Sequence, residues 1–398
     1  MARDNEGQTL REYGNRKKRY RRRRALIVIT LLLILVIAGG IYLYRLFNKS
    51  YDSYQVMKSV SNMEGTASGY LSYGGEIVKY GRDGAIAIDK NGNTIWNGAY
   101  EMANPIADTS GKYVAIADKG NRTVCVFDRS GVAGGFTTLH NIVKIEVASQ
   151  GVVAVQMEEG NVNYIIVYEK NGKIIYEKMM EPAEEGYPVD IALSEDGRKM
   201  VLSSIVINSG KLTENLGFFN FGEVGQSYRE RLVGGYSFNE DILIPRVVFL
   251  NNDKVCIYKD NGLILYSFKE KPDIIKELPQ HNPDDKAEQK IKSIIFSSEY
   301  AGIVWDGEGV KANQLVLYDL EGNKVLDKSL KFEYSKISMS GEEILMQDGT
   351  SCVILKINGK EKFRYTFDSN VDALYPINHL DRYFLVNSSE IAEIKLED

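Results

Sequence analysis

Residues 143–176 read VKIEVASQGVVAVQMEEGNVNYIIVYEKNGKIIY. Four short apolar runs are separated by turn residues. Val143–Val147 reads as an inner strand, Val152–Val155 and Tyr164–Tyr168 follow, and Lys173–Tyr176 is outermost. The last turn is Asn171-Gly172, a pair that supplies the positive φ values of a tight hairpin. A unit of about 40 residues in four strands is the signature of a β-propeller blade. Such a sheet cannot bury both faces alone, so it needs neighbours stacked around an axis.

The same unit recurs on both sides. Turns after the first strand fall at Gly75, Gly111, Gly151, Gly197, Asp253, Glu299, Gly341 and Asp381, in steps of 36 to 56 residues. A second series follows strands that end in an acid: Asp89 to Gly92, Asp128 to Gly131, Glu169 to Gly172, Asp319 to Gly322, with Lys356 to Gly359 a degenerate copy. Proline is scarce (8) and tyrosine abundant (25), which fits many short strands. No long helix is expected beyond residue 69; Asp284 to Ile291 allows at most two turns. The expected fold class is all-β: an eight-bladed propeller, with seven blades as the alternative count.

The final unit is one strand short. It offers Val371–Tyr375, Tyr383–Asn387 and Glu390–Leu396, and the alternating piece Tyr54–Val60 is left over. Pairing Tyr54–Val60 with Glu390–Leu396 closes the ring and covers an open edge. If Tyr70–Tyr73 were the closing strand instead, the count would be seven blades and a composite.

Before this domain lies Ala25 to Tyr44, ALIVITLLLILVIAGGIYLY, twenty residues without a charge. A helix of that length reaches about 30 Å, the thickness of a bilayer core. Arg16 to Arg24 reads RKKRYRRRR. Residues 1–24 carry about +7 and the rest about −12, so the tail is expected inside and the acidic domain outside. A cleaved signal peptide would want a shorter apolar run. A nucleic-acid role would want a domain ahead of the basic run. With no cysteine before Cys125, a lipid-modified cysteine at the span is not expected. The expected organisation is a cytoplasmic tail at 1–24, a transmembrane helix at 25–47, a connector with closing strand at 48–68 and an extracytoplasmic propeller at 69–398. The expected location is the plasma membrane, single-pass.

Gly84 to Trp96, GAIAIDKNGNTIW, is similar to quinoprotein-type propeller repeats, in which a closing tryptophan packs between blades. It also brushes the Asp-box turn of sialidase-like propellers. Over nearly all of its length after residue 20 the chain resembles a family of membrane-anchored propellers of low-GC Gram-positive bacteria, known only as a domain of unknown function. The basic tail and span carry this resemblance together with Tyr80-Gly-Arg-Asp-Gly84, Asn104-Pro105, Gly186 to Asp190 with Ser194 to Gly197, and Phe219 to Gln226. It implies architecture and location, and no activity.

Chemistry is sparsely signalled. His140, His281 and His379 have no His or Cys at metal-ligand spacing, and His281 sits in the loop-like Gln280 to Asp285. No GxSxG elbow is present. Cys125, Cys256 and Cys352 each lie in a strand-like run and read as small buried residues. Asp108, Glu146 and Asp190 lie on or beside inner strands, where a channel-facing acid binds a cation or merely lines water. No cofactor and no metal are expected.

Asn208 to Asn239 interrupts the compact pattern and accounts for the 56-residue step. Long loops rich in aromatics and arginine suit binding surfaces. The candidate partner-binding residues are Tyr228, Arg229, Arg231, Tyr236 and Phe238; Gly217 to Phe221 reads as a strand with its aromatics packed between blades. The expected function is an anchored scaffold for an envelope protein or wall polymer, with no nucleic acid and not an enzyme. The alternative is a propeller enzyme, a quinoprotein-like oxidoreductase or a glycosidase. A quinone floor has only Trp96 and Trp305 to draw on.

Overall fold

The structure is a computed structural model that describes residues 20, 24, 26–40, 48–62, 67–208, 210–238, 242–279, 290–307, 312–378 and 380–398. The chain divides into two units, Met1–Ser50 and Tyr51–Asp398.

In the first unit residues 26–40 form a helix. Its leucines, isoleucines and valines from Leu26 to Ile37 are 53% to 69% exposed, on every side of the helix. Thr30 turns its hydroxyl back to the Leu26 carbonyl at 2.9 Å, so it presents no free donor. Among the described residues no helix is long and apolar enough to cross a membrane. The rest of the basic run and of the 25–47 stretch, apart from Tyr20 and Arg24, lies outside the described residues, as do Asp284 to Gln289, His281 and His379.

The second unit is an eight-bladed propeller. Residues 67–99, 105–137, 141–180, 187–238, 246–278, 291–329 and 336–366 each fold, in chain order, into a four-stranded antiparallel sheet. The eighth sheet takes Ala373–Pro376, Arg382–Val386 and Glu390–Glu397, and receives its outermost strand, Ser53–Ser61, from the other end of the unit. Ser53 pairs with Glu397 and Ser61 with Glu390, with one irregularity between Val56 and Lys58. This is the closure expected from the missing strand, and it fixes the count at eight.

The apolar core is distributed. Among the described residues there are eight clusters, and each joins two neighbouring blades. Successive side chains of a strand point to opposite faces, so one strand serves two seams. Phe127 packs toward blade one and Val126 toward blade three. With both faces covered, the second strands, in the middle of each sheet, lose the polar half of their alternation: all of Tyr113–Asp118 is buried. Trp96 seals the first seam. Its ring stacks on Phe127 at 4.8 Å and 5° between planes, as the repeat motif predicts.

The acid-ended turns hold themselves shut. Asp89 Oδ1 accepts the amides of Asn91 and Asn93 at 2.8 Å each, and Oδ2 accepts the Asn93 side chain at 3.0 Å. Asp319 makes the same bonds to Glu321 and Asn323. Slight burial opposes ionisation, but these bonds hold both carboxyls below the ordinary value. Cys256 and Cys352 are buried and Cys125 partly so; none is bridged, and burial raises all three thiols.

Candidate functional site

Blade four departs from its neighbours in two places. Its second and third strands, Lys199–Asn208 and Lys211–Asn220, are ten residues each, against five to seven for the second strands of the other blades. Tyr187, which opens the inner strand, pairs with Ile205, so residues 206–208 and 211–213 continue their ladder past it. The second departure is 221–231, between the third strand and the outer strand Leu232–Phe238. There the chain makes one helical turn, Glu223–Gln226, and a tighter turn at Arg229–Arg231. Gly225 allows the first: a Cβ there would lie 1.6 Å from the Asn220 carbonyl oxygen. The second holds Glu230 at φ 53° and Arg231 at φ 61°, the described non-glycine residues with positive φ. Such strain costs about 1–3 kcal/mol per residue and persists where the surroundings impose it. Lys178 of blade three reaches this turn, bonding Glu230 at 3.0 Å and also Glu185. Burial opposes the Lys178 charge, but these two carboxylates hold its pKa above the ordinary value.

The five candidate residues are not brought together as one patch. Tyr236 is a seam residue: its ring meets Tyr266 at 5.3 Å and Phe218 at 5.9 Å, and its hydroxyl donates to the Pro272 carbonyl at 3.2 Å. Phe238 and Tyr228 are half-buried against the same blade four and five cluster. Tyr228 keeps one face toward the Lys271 ammonium, 5.1 Å from its ring centre. Arg229 is 94% exposed, touched by Glu230 at 3.5 Å. Arg231 has one guanidinium nitrogen buried without a hydrogen-bond partner. Phe218 and Phe219 are fully packed between blades, as the strand reading of Gly217 to Phe221 predicts. Outward the loop offers Arg229 and Glu230, with Tyr228 only partly exposed beside them. Beside them lies a polar cleft of about 740 Å³ walled by Arg198, Glu223, Gln226 and Lys269. Its floor is the buried Lys199, which bonds Asp253 at 2.7 Å and the Phe268 carbonyl at 2.8 Å.

The inner-strand acids are committed elsewhere. Asp108 accepts the Val147 amide of the next blade at 2.7 Å, and Asp190 accepts that of Val247 at 2.8 Å. Each therefore ties one blade to the next. The cation among them is Lys144, 2.5 Å from Asp190 and 2.8 Å from Glu146, with Arg246 further out at 3.5 and 3.9 Å. Burial, and then the Glu146 charge, raise the Asp108 pKa. Among the described residues no group of three His, Cys, Asp or Glu is placed to hold a metal. His140 stacks on Tyr164 at 3.9 Å with Nδ1 2.7 Å from Glu159. Trp96 and Trp305 are both built into seams, so neither is presented as a stacking floor.

Two features had no usable signal in the sequence. Lys144 and Arg246 read as ordinary strand lysine and arginine until the ring sets them beside the acids. Glu214, in the polar-looking Leu212-Thr-Glu-Asn215, is wholly buried, and desolvation pushes its carboxyl up to about 8.

No curated protein matches the chain. Solved structures do. Sqt1 of Saccharomyces cerevisiae is 11% identical over 87% of this chain and 100% of its own, with a TM-score of 0.57. A eukaryotic initiation factor is 13% identical over 88% of each chain at 0.50, and BamB of Moraxella catarrhalis 12% over 86% and 100% at 0.49. Identities this low speak to the fold alone. A family description fits residues 47–396, which is the propeller with its lead-in. The chain thus belongs to DUF5711, a family of unknown function.

Proposed function

We propose that this chain is a membrane-anchored binding scaffold that displays its propeller outside the cell to an envelope protein or wall polymer. The observation that carries the anchor is the helix at 26–40, apolar on every side and exposed on every side. A helix of that kind is stable where its surroundings are apolar, and a bilayer supplies them. The run Arg16 to Arg24 precedes it, and such runs stay on the cytoplasmic side. Support for the scaffold reading comes from the ring: a closed disc holds loops at fixed positions, and one loop presents Arg229 beside the strained turn at Glu230 and Arg231.

The orientation is tested by adding protease to wall-stripped cells. Degradation of the bulk of the protein is expected; survival of residues 51–398 would refute it. For the loop, Arg229→Ala, at a side chain 94% exposed, is expected to reduce partner recovery in crosslinked cells while leaving the melting temperature nearly unchanged. Tyr236 is left in place because its replacement would open a seam.

A further inference from the structure

The cleft of about 740 Å³ beside the blade-four loop is built by turns of two blades. Those at Asp196 and Asn220 belong to blade four, those at Asp253 and Lys269 to blade five. Two bonds clamp the first turn of each blade to the other. The Asp196 amide donates to Asn252 Oδ1 at 2.8 Å, and the buried Lys199 ammonium donates to Asp253 Oδ1 at 2.7 Å. A third bond joins the other two turns, from Asn220 Nδ2 to the Glu270 carbonyl at 3.2 Å. Within this cradle two carboxylates are each held by one oxygen. Asp196 Oδ1 accepts from the Ser194 hydroxyl at 2.6 Å and the Arg198 amide at 3.1 Å, as Asp253 Oδ1 accepts from Lys199. Both side chains line the cleft and are partly exposed, and among the described residues neither Oδ2 meets a donor. The lining charges decide what suits the space. An anion would meet Asp196, Asp253, Glu223 and Glu270; a cation would meet Arg198, Lys199 and Lys269. A neutral ligand rich in hydroxyls fits both sets, since each hydroxyl can donate to a carboxylate and accept from a cation.

We propose that this cleft binds a neutral sugar chain, a stretch of wall-polymer glycan, with Asp196 and Asp253 accepting from its hydroxyls. The inference deepens the scaffold reading and rests on it for the source of the sugar. A hydroxyl donating to a carboxylate makes a charge-assisted bond, and these are the strong ones. Both carboxylates are fixed before the ligand arrives, so little is lost in ordering them. The volume lies within the range of ligand pockets and leaves room for more than one ring.

The test is calorimetric titration of the full-length chain near neutral pH, in a polyoxyethylene detergent, which carries no sugar headgroup. Chitotetraose, maltotetraose and xylotetraose are the neutral probes, their monosaccharides stand for a free-sugar source, and inorganic phosphate is the charged comparison. Saturable binding of a tetrasaccharide is expected, tighter than that of its own monosaccharide. Asp196→Asn keeps the shape of the side chain and turns one acceptor into a donor, so it should weaken that binding by about tenfold. No saturable binding of any neutral probe at tens of millimolar overturns the proposal. So does sugar binding that Asp196→Asn leaves unchanged, or phosphate binding tighter than sugar binding. A monosaccharide that binds as tightly as its tetrasaccharide overturns the glycan as the source. If Asp196→Asn fails to fold, Arg198→Ala, at an exposed residue of the wall, decides by the same measure. The titration does not depend on where the propeller sits in the cell, so its failure is distinct from a failure of the protease test.

Discussion

Lys362 is 1% exposed, and its ammonium bonds Glu343 and, at 2.7 Å, the Tyr383 oxygen. The Tyr383 proton goes to the other Glu343 oxygen at 2.6 Å, which closes a triangle between blades seven and eight. Burial lowers the Lys362 pKa and the Glu343 charge offsets part of that. Removing the lysine alone strands a buried carboxylate. Lys362→Met should therefore cost about 3–5 kcal/mol in a urea melt, and adding Glu343→Gln should recover most of it. Equal stability of wild type and single variant would show that the triangle contributes nothing. Glu214 is the opposite case, an acid buried neutral. Its folded pKa, about 8, stands above the ordinary carboxylate value. The folded state then holds a proton that the unfolded state has lost, so the stability it brings is complete below about pH 4.5 and drains away as pH rises toward 8. Glu214→Gln should melt like wild type near pH 4.5 and progressively higher above it, by a few kcal/mol at pH 8; a pH-independent difference would assign the effect to packing. Neither residue is marked in the sequence. Lys362 sits in an alternating outer strand and Glu214 in a polar run, and burial by a neighbouring blade is not a local property.

The closing strand is where sequence and structure meet most directly. Tyr54 leaves it to pack on Tyr365 at 5.0 Å and Phe367 at 5.2 Å, and Tyr51, just before it, donates its amide to the Lys362 carbonyl of blade seven at 2.8 Å. Losing Ser53–Ser61 removes that ladder and uncovers the edge of Glu390–Glu397. Each ladder bond is worth roughly 0.5–1.5 kcal/mol net. A chain beginning at Ser61 should melt lower and aggregate sooner, by light scattering, than one beginning at Lys49; matched melting and scattering would argue against the strand's role. The strand was legible because two independent signs agreed: an alternating piece without a sheet and a sheet without its outer strand. The blade-four element was only half legible. The step of 56 residues announces extra chain, but much of it is spent on lengthening a hairpin, and Gly-rich aromatic sequence reads alike as strand or loop. Tyr236 and Phe238 look like contact residues in the sequence for that reason, and the adjoining blade claims them.

For the molecule as a whole, repetition made the fold readable. Turn residues from Gly75 to Asp381 lie between the first and second strands of all eight sheets, because tight turns have strict backbone needs that few residues meet. Closure also has a direction in time. The outer strand of the last blade is made first, and Asn62 bonds a partner 325 residues further on. At synthesis rates of about 5–20 residues per second, that partner arrives roughly 15–65 s later. Through that interval seven blades can form and stack while the first strand waits unpaired and the ring stands open. A chain cut short anywhere before Glu390 has nothing for Ser53–Ser61 to join. The clasp therefore reports on the completeness of the ring: only a chain translated through Glu390–Glu397 can hide both edges, and every product cut short before it keeps one on display for proteases and chaperones.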